Sequence, residues 1–356
     1  MEKKDIEKIR IAAEQGDANA QFELGDAYHL GCGVEENPEE AVRWYRKAAE
    51  QGHVNAQCGI GDAYNDGYGV EQNYTEAAHW YRKAAEQGDD IAQDNLGLMF
   101  HLGQGVEKND NEAVLWFKKA VSQGYQPACF HLGWMYFTGK GVQKDYKEAL
   151  RLFLKSADED EEGLAIGNAY PYIGAIYRYG WGVEQNYEEA LRWYRKAEKS
   201  GEIAQNDLGE MYANGEGVEQ DYAEAVRLFQ LSAEQGYGQA QYNLGCMYCD
   251  GEGVEQNYAE AIRFFRLAAE QDHEGAQYNL GCMYYNGEGV EQNYAEAIRF
   301  FRLAAEQDYA NAQYNLGCMY RDGEGVDKDL DEARKWLQKA ADQGDEEAKA
   351  VLKEME

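Results

Sequence analysis

The chain has 356 residues and a formal charge of −32, from 66 acidic and 34 basic side chains. A surface so acidic repels phosphate backbones and anionic lipid heads, so nucleic acid and membrane surfaces are excluded as expected partners. A basic protein or peptide is favoured, and the charge also keeps a long chain soluble. The 3 prolines fit helices throughout, and no apolar run reaches the roughly 20 residues a membrane span needs.

The N-terminus, Met1-Glu2-Lys3-Lys4-Asp5-Ile6-Glu7-Lys8, has no apolar stretch of the secretory type. Cysteines stand at Cys32, Cys58, Cys129, Cys246, Cys249, Cys282 and Cys318. Their number is odd and no pair recurs from repeat to repeat, which reads as reduced thiols. A cytoplasmic location is the expectation, with signal-independent export left open.

From Gly33 onward a Gly-x-Gly-Val marker recurs. Its second glycine is Gly33, Gly69, Gly105, Gly141, Gly182, Gly217, Gly253, Gly289 and Gly325, at intervals of 36, 36, 36, 41, 35, 36, 36 and 36. A period of this size predicts a solenoid whose units bury their apolar faces against their neighbours. The expected order is a capping helix over 1–16, nine helix-turn-helix repeats over 17–344 and a capping helix over 345–356, about twenty helices in one domain.

In the first unit, helix A carries Ala20, Leu24, Gly25 and Tyr28 on one stripe. Position 25 is glycine in all nine units. A mid-helix glycine costs about 1 kcal/mol relative to alanine, so its recurrence predicts a crossing too tight for a side chain. Gly31 ends helix A in a left-handed cap, Gly33 reverses the chain, and Val34 is expected to plug the core. Helix B begins with Asn37 and Glu40 at capping-box spacing. Ala41, Trp44, Tyr45 and Ala48 form its buried stripe. Glu39–Arg43 and Arg46–Glu50 are spaced as outward ion pairs.

The pattern Ala-Gln-x-x-Leu-Gly-x-x-Tyr-x-x-Gly-x-Gly-Val, then Glu-Ala-x-x-Trp-Tyr-x-Lys-Ala-Ala-Glu-Gln-Gly, resembles the Sel-1-like repeat, a relative of the tetratricopeptide repeats. The resemblance covers nearly the whole chain. It implies an all-α, right-handed α/α superhelix whose A helices line the concave face. It also implies adaptor or scaffold roles, often bacterial and sometimes at a host interface.

Two irregularities stand out. After Ala157 an insertion at about 158–168 carries Asp158-Glu159-Asp160-Glu161-Glu162, which suits a solvated loop or a hinge. The segments 253–288 and 289–324 differ only at His273/Tyr309, Glu274/Ala310, Gly275/Asn311, Tyr285/Arg321 and Asn286/Asp322, the mark of a duplication.

No chemistry emerges from the residues. The Gly-x-Gly turns follow helices rather than strands, unlike phosphate loops. Cys246-x-x-Cys249 has no second ligand pair, and no nucleophile–base grouping is visible. No cofactor, metal or catalytic residue is expected. What remains is the part of helix A not used in stacking, such as Phe22, Glu23, Asp26, His29 and Leu30 in the first unit.

In the third to fifth units this face turns aromatic: Leu98 and His101, then Phe130, Trp134 and Phe137, then Tyr172, Arg178, Tyr179 and Trp181. Elsewhere it is more polar, as at Asp62, Asn65 and Asp66. Aromatics and Arg anchor interfaces, although the same stripe also suits packing against the next repeat. The expectation is a monomeric, non-enzymatic scaffold that binds a partner protein or peptide, with a basic one favoured, on its concave face. The alternatives are an exported host-interaction factor and, from some members of the resembling family, a β-lactam-type hydrolase.

Overall fold

The computed structural model describes residues 3–157, 169–198 and 201–355. The insertion expected at 158–168 lies outside them. All regular structure among the described residues is helical, in twenty helices. The A helices are α2 (Ala18–Leu30), α4 (Val54–Asp66), α6 (Asp90–Leu102), α8 (Gln126–Thr138), α10 (Ala169–Tyr179), α12 (Glu202–Asn214), α14 (Gly238–Asp250), α16 (Glu274–Asn286) and α18 (Ala310–Asp322). The B helices are α3 (Pro38–Glu50), α5 (Tyr74–Glu86), α7 (Asp110–Ser122), α9 (Tyr146–Ala157), α11 (Tyr187–Ala197), α13 (Tyr222–Glu234), α15 (Tyr258–Ala269), α17 (Tyr294–Glu306) and α19 (Leu330–Asp342). The flanking helices α1 (Lys3–Glu14) and α20 (Glu346–Glu354) stand where the half-repeats were expected.

The chain falls into two compact units, Met1–Gln185 and Asn186–Glu356. The first holds α1 to α10 and the second α11 to α20. Each is an array of A/B pairs.

Each A helix is stopped by its glycine. Gly31 caps α2 at φ 65°, ψ 25° and donates its N–H to Ala27 O, a geometry glycine adopts without penalty. The second glycine of the turn answers a different demand. A Cβ on Gly69 would sit 2.2 Å from the Pro38 carbonyl oxygen, and one on Gly105 2.0 Å from that of Tyr74. The turn of one repeat therefore rests on the first turn of the preceding B helix. Val34 is half-buried and packs against the core cluster that includes Leu24, Ala27 and Trp44.

The helix B start is only half a capping box. Asn37 Oδ1 accepts from Glu40 N at 3.1 Å, but the Asn37 N–H donates to Tyr28 O at 2.9 Å. That N–H is already satisfied by helix A, so the Glu40 carboxylate turns to Arg43 at 3.0 Å. The expected i, i+4 pairs are replaced accordingly: Arg43 takes Glu40 rather than Glu39, and Arg46 donates to the hydroxyl of Tyr64 in the next A helix.

The mid-helix glycine is explained by a ring. A Cβ on Gly25 would lie 2.6 Å from Tyr45, on Gly61 2.7 Å from Tyr81, on Gly97 2.6 Å from Phe117 and on Gly281 2.5 Å from Phe301. In these repeats a B-helix aromatic ring occupies the space a side chain would need, and in the ninth Leu337 does so, 2.7 Å from a Cβ on Gly317. Phe117, Phe265 and Phe301 each keep only 1% of their surface exposed there.

A buried amide clip ties successive elements together. Gln57 is 4% exposed. Its Nε2 donates to Ala49 O of the preceding B helix at 3.1 Å, and its Oε1 accepts from Gln87 at 2.7 Å. The same clip recurs at Gln21, Gln93, Gln241, Gln277 and Gln313. Satisfying both ends of a buried amide is what makes it stabilising rather than costly. In the fourth and fifth repeats Cys129 and Tyr170 stand at this position.

Candidate partner-binding surface

The residue four back from the turn-facing end of helix A stands beside the B-helix ring, and in the first four repeats the two change together. In the first repeat Tyr45 Oη donates to Asp26 at 2.7 Å, and in the second Tyr81 Oη donates to Asp62 at 2.7 Å. In the third and fourth repeats the ring loses its hydroxyl and the A-helix partner becomes apolar, as Phe117 with Leu98 and Phe153 with Trp134. Near the end of the array Cys246 and Cys282 hold this position beside Phe265 and Phe301.

In the third to fifth repeats the substitution opens an apolar cleft of about 260 Å³. Five side chains expected from the sequence line it: Leu98, His101, Phe130, Trp134 and Tyr172. Phe117 and Met135, each 1% exposed, form its floor, and His131 completes the wall. Both imidazoles are held from behind. His101 Nδ1 lies 2.6 Å from Asp110 Oδ1, and His131 Nδ1 lies 2.8 Å from Asp94 Oδ1. Trp134 meets His101 edge-on at 5.2 Å between centroids, with Lys140 Nζ 4.7 Å from its ring.

The other expected residues form an adjoining stack. Phe137 contacts Tyr172 at 5.4 Å and Trp181 at 5.7 Å, and Trp181 lies parallel to Tyr146 at 5.0 Å and to Tyr179 at 4.8 Å. Phe130 likewise meets Phe153 and Tyr172 at 5.8 and 6.0 Å. Phe130 and Phe137 therefore stack the fourth repeat on the fifth while also edging the surface. Tyr179 is 48% exposed, whereas Arg178 is 3% exposed and is not an outward anchor.

The sequence reading missed Phe117, His131 and Met135, which belong to stacking positions, and Tyr146, which lies at the start of α9. It also missed a second opening of about 340 Å³ between α2 and α4, lined by His29, Tyr45, Asp62, Asp66 and Tyr68. Phe22 and Asp26 are not idle surface either: Phe22 stacks on His53 at 4.8 Å and Asp26 holds Tyr45.

The seventh to ninth repeats carry thiols where the first four carry Asp, Leu and Trp. Burial pushes Cys246 up to about 12, and Cys282 and Cys318 in the same direction. A thiol so raised is a poor nucleophile and a poor metal ligand. Among the described residues no cluster of three or more His, Cys, Asp or Glu is placed to hold a metal ion, and no helix is long and apolar enough to cross a membrane.

Sel1 repeat, a protein family, matches residues 18–53, 54–89, 90–125, 126–161, 172–202, 203–237, 238–273, 275–309 and 310–345. Among solved structures the chain is similar to c5321, a protective antigen present in uropathogenic Escherichia coli strains that displays the SLR fold. Identity is 36% over 98% of this chain and 82% of that one, with a TM-score of 0.64. It is also similar to a Sel1 repeat protein from Oxalobacter formigenes, 31% identical over 98% of this chain and 90% of that one, TM-score 0.51. A comparison with curated proteins found no match. Sel1-repeat proteins are generally protein-interaction scaffolds, and no catalytic family is identified for the chain. The nine matched repeats, the all-α solenoid and these two structures make the chain a member of the Sel1-repeat family.

Proposed function

We propose that this chain is a non-enzymatic scaffold that holds a partner protein on its A-helix face, the side expected to be concave, with the cleft of the third to fifth repeats taking a large apolar side chain. The supporting observation is the cleft itself: Leu98, His101, Phe130, Trp134 and Tyr172 converge on one apolar opening. At the places of Leu98 and Trp134 the neighbouring α2 and α4 carry Asp26 and Asp62. Apolar, aromatic-walled depressions in polar surroundings are where interface anchors seat.

Trp134 and Leu98 are the side chains to remove, because Phe130 and Phe137 also stack repeats. A Trp134→Ala, Leu98→Ser protein that keeps its unfolding temperature should lose the partner in a pull-down. Unchanged recovery would reject the cleft as the binding site.

The seven unpaired thiols support work in a reducing compartment, which we propose to be the cytoplasm. A second reading, action at a host interface, draws on the similarity to the protective antigen of uropathogenic Escherichia coli. Fractionation of the producing cells separates the two: recovery of the chain from the surface or medium favours the second.

A further inference from the structure

We propose that the opening between α2 and α4 is a subsite for an arginine or lysine side chain of the same partner segment that fills the aromatic cleft. The partner would then carry an extended stretch with a basic residue about six to eight positions from a large apolar one. This rests on the scaffold reading above and adds the chemistry of the partner.

The opening is built from rings and carboxylates. Tyr68 meets His29 edge-on at 4.8 Å and is fixed by donating to His29 O at 3.3 Å and Glu36 Oε1 at 3.1 Å. Asp62 and Asp66 stand one turn apart on α4, both reached by solvent. Aromatic faces beside carboxylates attract a guanidinium or ammonium by both charge and ring quadrupole.

Among the described residues no Lys or Arg is paired with these carboxylates. Asp62 accepts from Tyr81 Oη and from Asn95 Nδ2 at 3.4 Å, and Asp66 from Asn65 Nδ2 at 2.8 Å, all neutral donors. Helices α2, α4, α6 and α8 contain Glu23, Asp26, Asp62, Asp66, Asp90 and Asp94 but no Lys or Arg. The bases of these repeats lie on the B helices and in the A-to-B turns: Lys47, Lys83 and Lys119 sit over Trp44, Trp80 and Trp116 at 3.9, 4.3 and 3.6 Å, and Lys140 lies over Trp134. Burial and the nearby Asp66 charge hold the Asp62 carboxyl above its ordinary range. A cation arriving there would reverse that effect.

Both openings belong to the first compact unit. Adjacent A helices touch through Asn95–Asp62 and His131–Asp94. Packed helices lie about 8–10 Å apart, and the openings are about two and a half repeats apart, hence on the order of 20–25 Å. An extended chain rises about 3.3 Å per residue, which gives a spacing of about six to eight residues.

The test uses fluorescein-labelled acetyl-Arg-(Gly-Ser)3-Trp-amide titrated into the full chain and followed by anisotropy. Its controls are the citrulline peptide, which keeps the shape without the charge, and a version with a single Gly-Ser spacer. The arginine peptide should bind about fivefold or more tighter than either control. That preference should vanish at high salt and in an Asp62→Asn, Asp66→Asn protein of unchanged helicity. Equal affinity for arginine and citrulline, a preference that survives the double substitution, or no binding of the arginine peptide would overturn the proposal. Trp134→Ala separates the two readings. If it abolishes binding while arginine and citrulline remain equal, the aromatic cleft stands and this subsite falls. If it is harmless while the arginine preference depends on Asp62 and Asp66, the reverse holds.

Discussion

The third and fourth repeats of the first unit and the seventh and eighth of the second share a backbone but not a surface. In both regions a glycine of helix A receives a phenylalanine of helix B, as Gly97 receives Phe117 and Gly281 receives Phe301. In both, the left-handed glycine ends helix A and the Asn37-type cap starts helix B. What differs most beside the ring is the A-helix residue: Leu98 and Trp134 in one region, Cys246 and Cys282 in the other. A solenoid thus keeps most of the positions that stack its units and varies a few positions per unit to change what the face can hold. That separation predicts which substitutions act alike in the two regions and which do not.

The framework should respond equally in both regions and most strongly. Phe117→Ala and Phe301→Ala each remove a ring 1% exposed and should each cost about 3–5 kcal/mol in chemical denaturation. A near-neutral result at either would break the equivalence. The amide clip should follow. Gln277→Ala strips the acceptor from Gln307 Nε2, now 2.8 Å away, and should cost about 1–3 kcal/mol. Cys129→Ala, at the equivalent place in a repeat without the clip, should cost less.

The coupled pair tests the variable position directly. Phe117→Tyr sets a hydroxyl against Leu98 with no carboxylate to receive it, for an expected loss of about 1–3 kcal/mol. Adding Leu98→Asp rebuilds the Tyr81–Asp62 arrangement and should recover much of that loss. Strict additivity in the double-mutant cycle would show that ring and partner do not communicate.

The smallest effect concerns Asp62, whose folded carboxyl titrates above the ordinary 3.8. Between those two values the unfolded chain has released a proton that the folded chain keeps. Stability therefore falls as pH rises through that window and levels off above it. Solvent reaches the group, so the slope should be shallow, and Asp62→Asn should remove it in denaturation curves taken across mildly acid pH. A wild-type curve that rises with pH relative to Asp62→Asn would contradict the sign.

The fold was legible because the constraints on it are local and repeat. Gly31, Gly33, Asn37 and the Ala/Leu stripe each declare a turn, a cap or a face within a few residues of themselves. Leu98, Trp134 and Tyr172 were legible for the complementary reason that they depart from what the other repeats carry at those places, whereas His101 and Phe130 repeat His29 and Phe22 of the first. The contributions missed are those made between helices. Asp26 and Tyr45 are 19 residues apart, and only the A/B crossing brings the carboxylate to the hydroxyl. The reciprocal half of the capping box failed for the same reason, since the Tyr28 carbonyl reaches the Asn37 N–H first. Phe117 and Met135 looked like core and are core, yet they also floor the cleft. Arg178 looked like surface because its residue type usually is, and it lies buried.

The claim that a partner is held at the A-helix face of the third to fifth repeats can be tested in the producing cell. The photo-reactive p-benzoylphenylalanine would replace Trp134 in one protein and Tyr314, on an A helix of the second unit, in another. A partner band formed on irradiation with the label at 134 and absent with it at 314 is the predicted result. Crosslinking at 314 alone would contradict it.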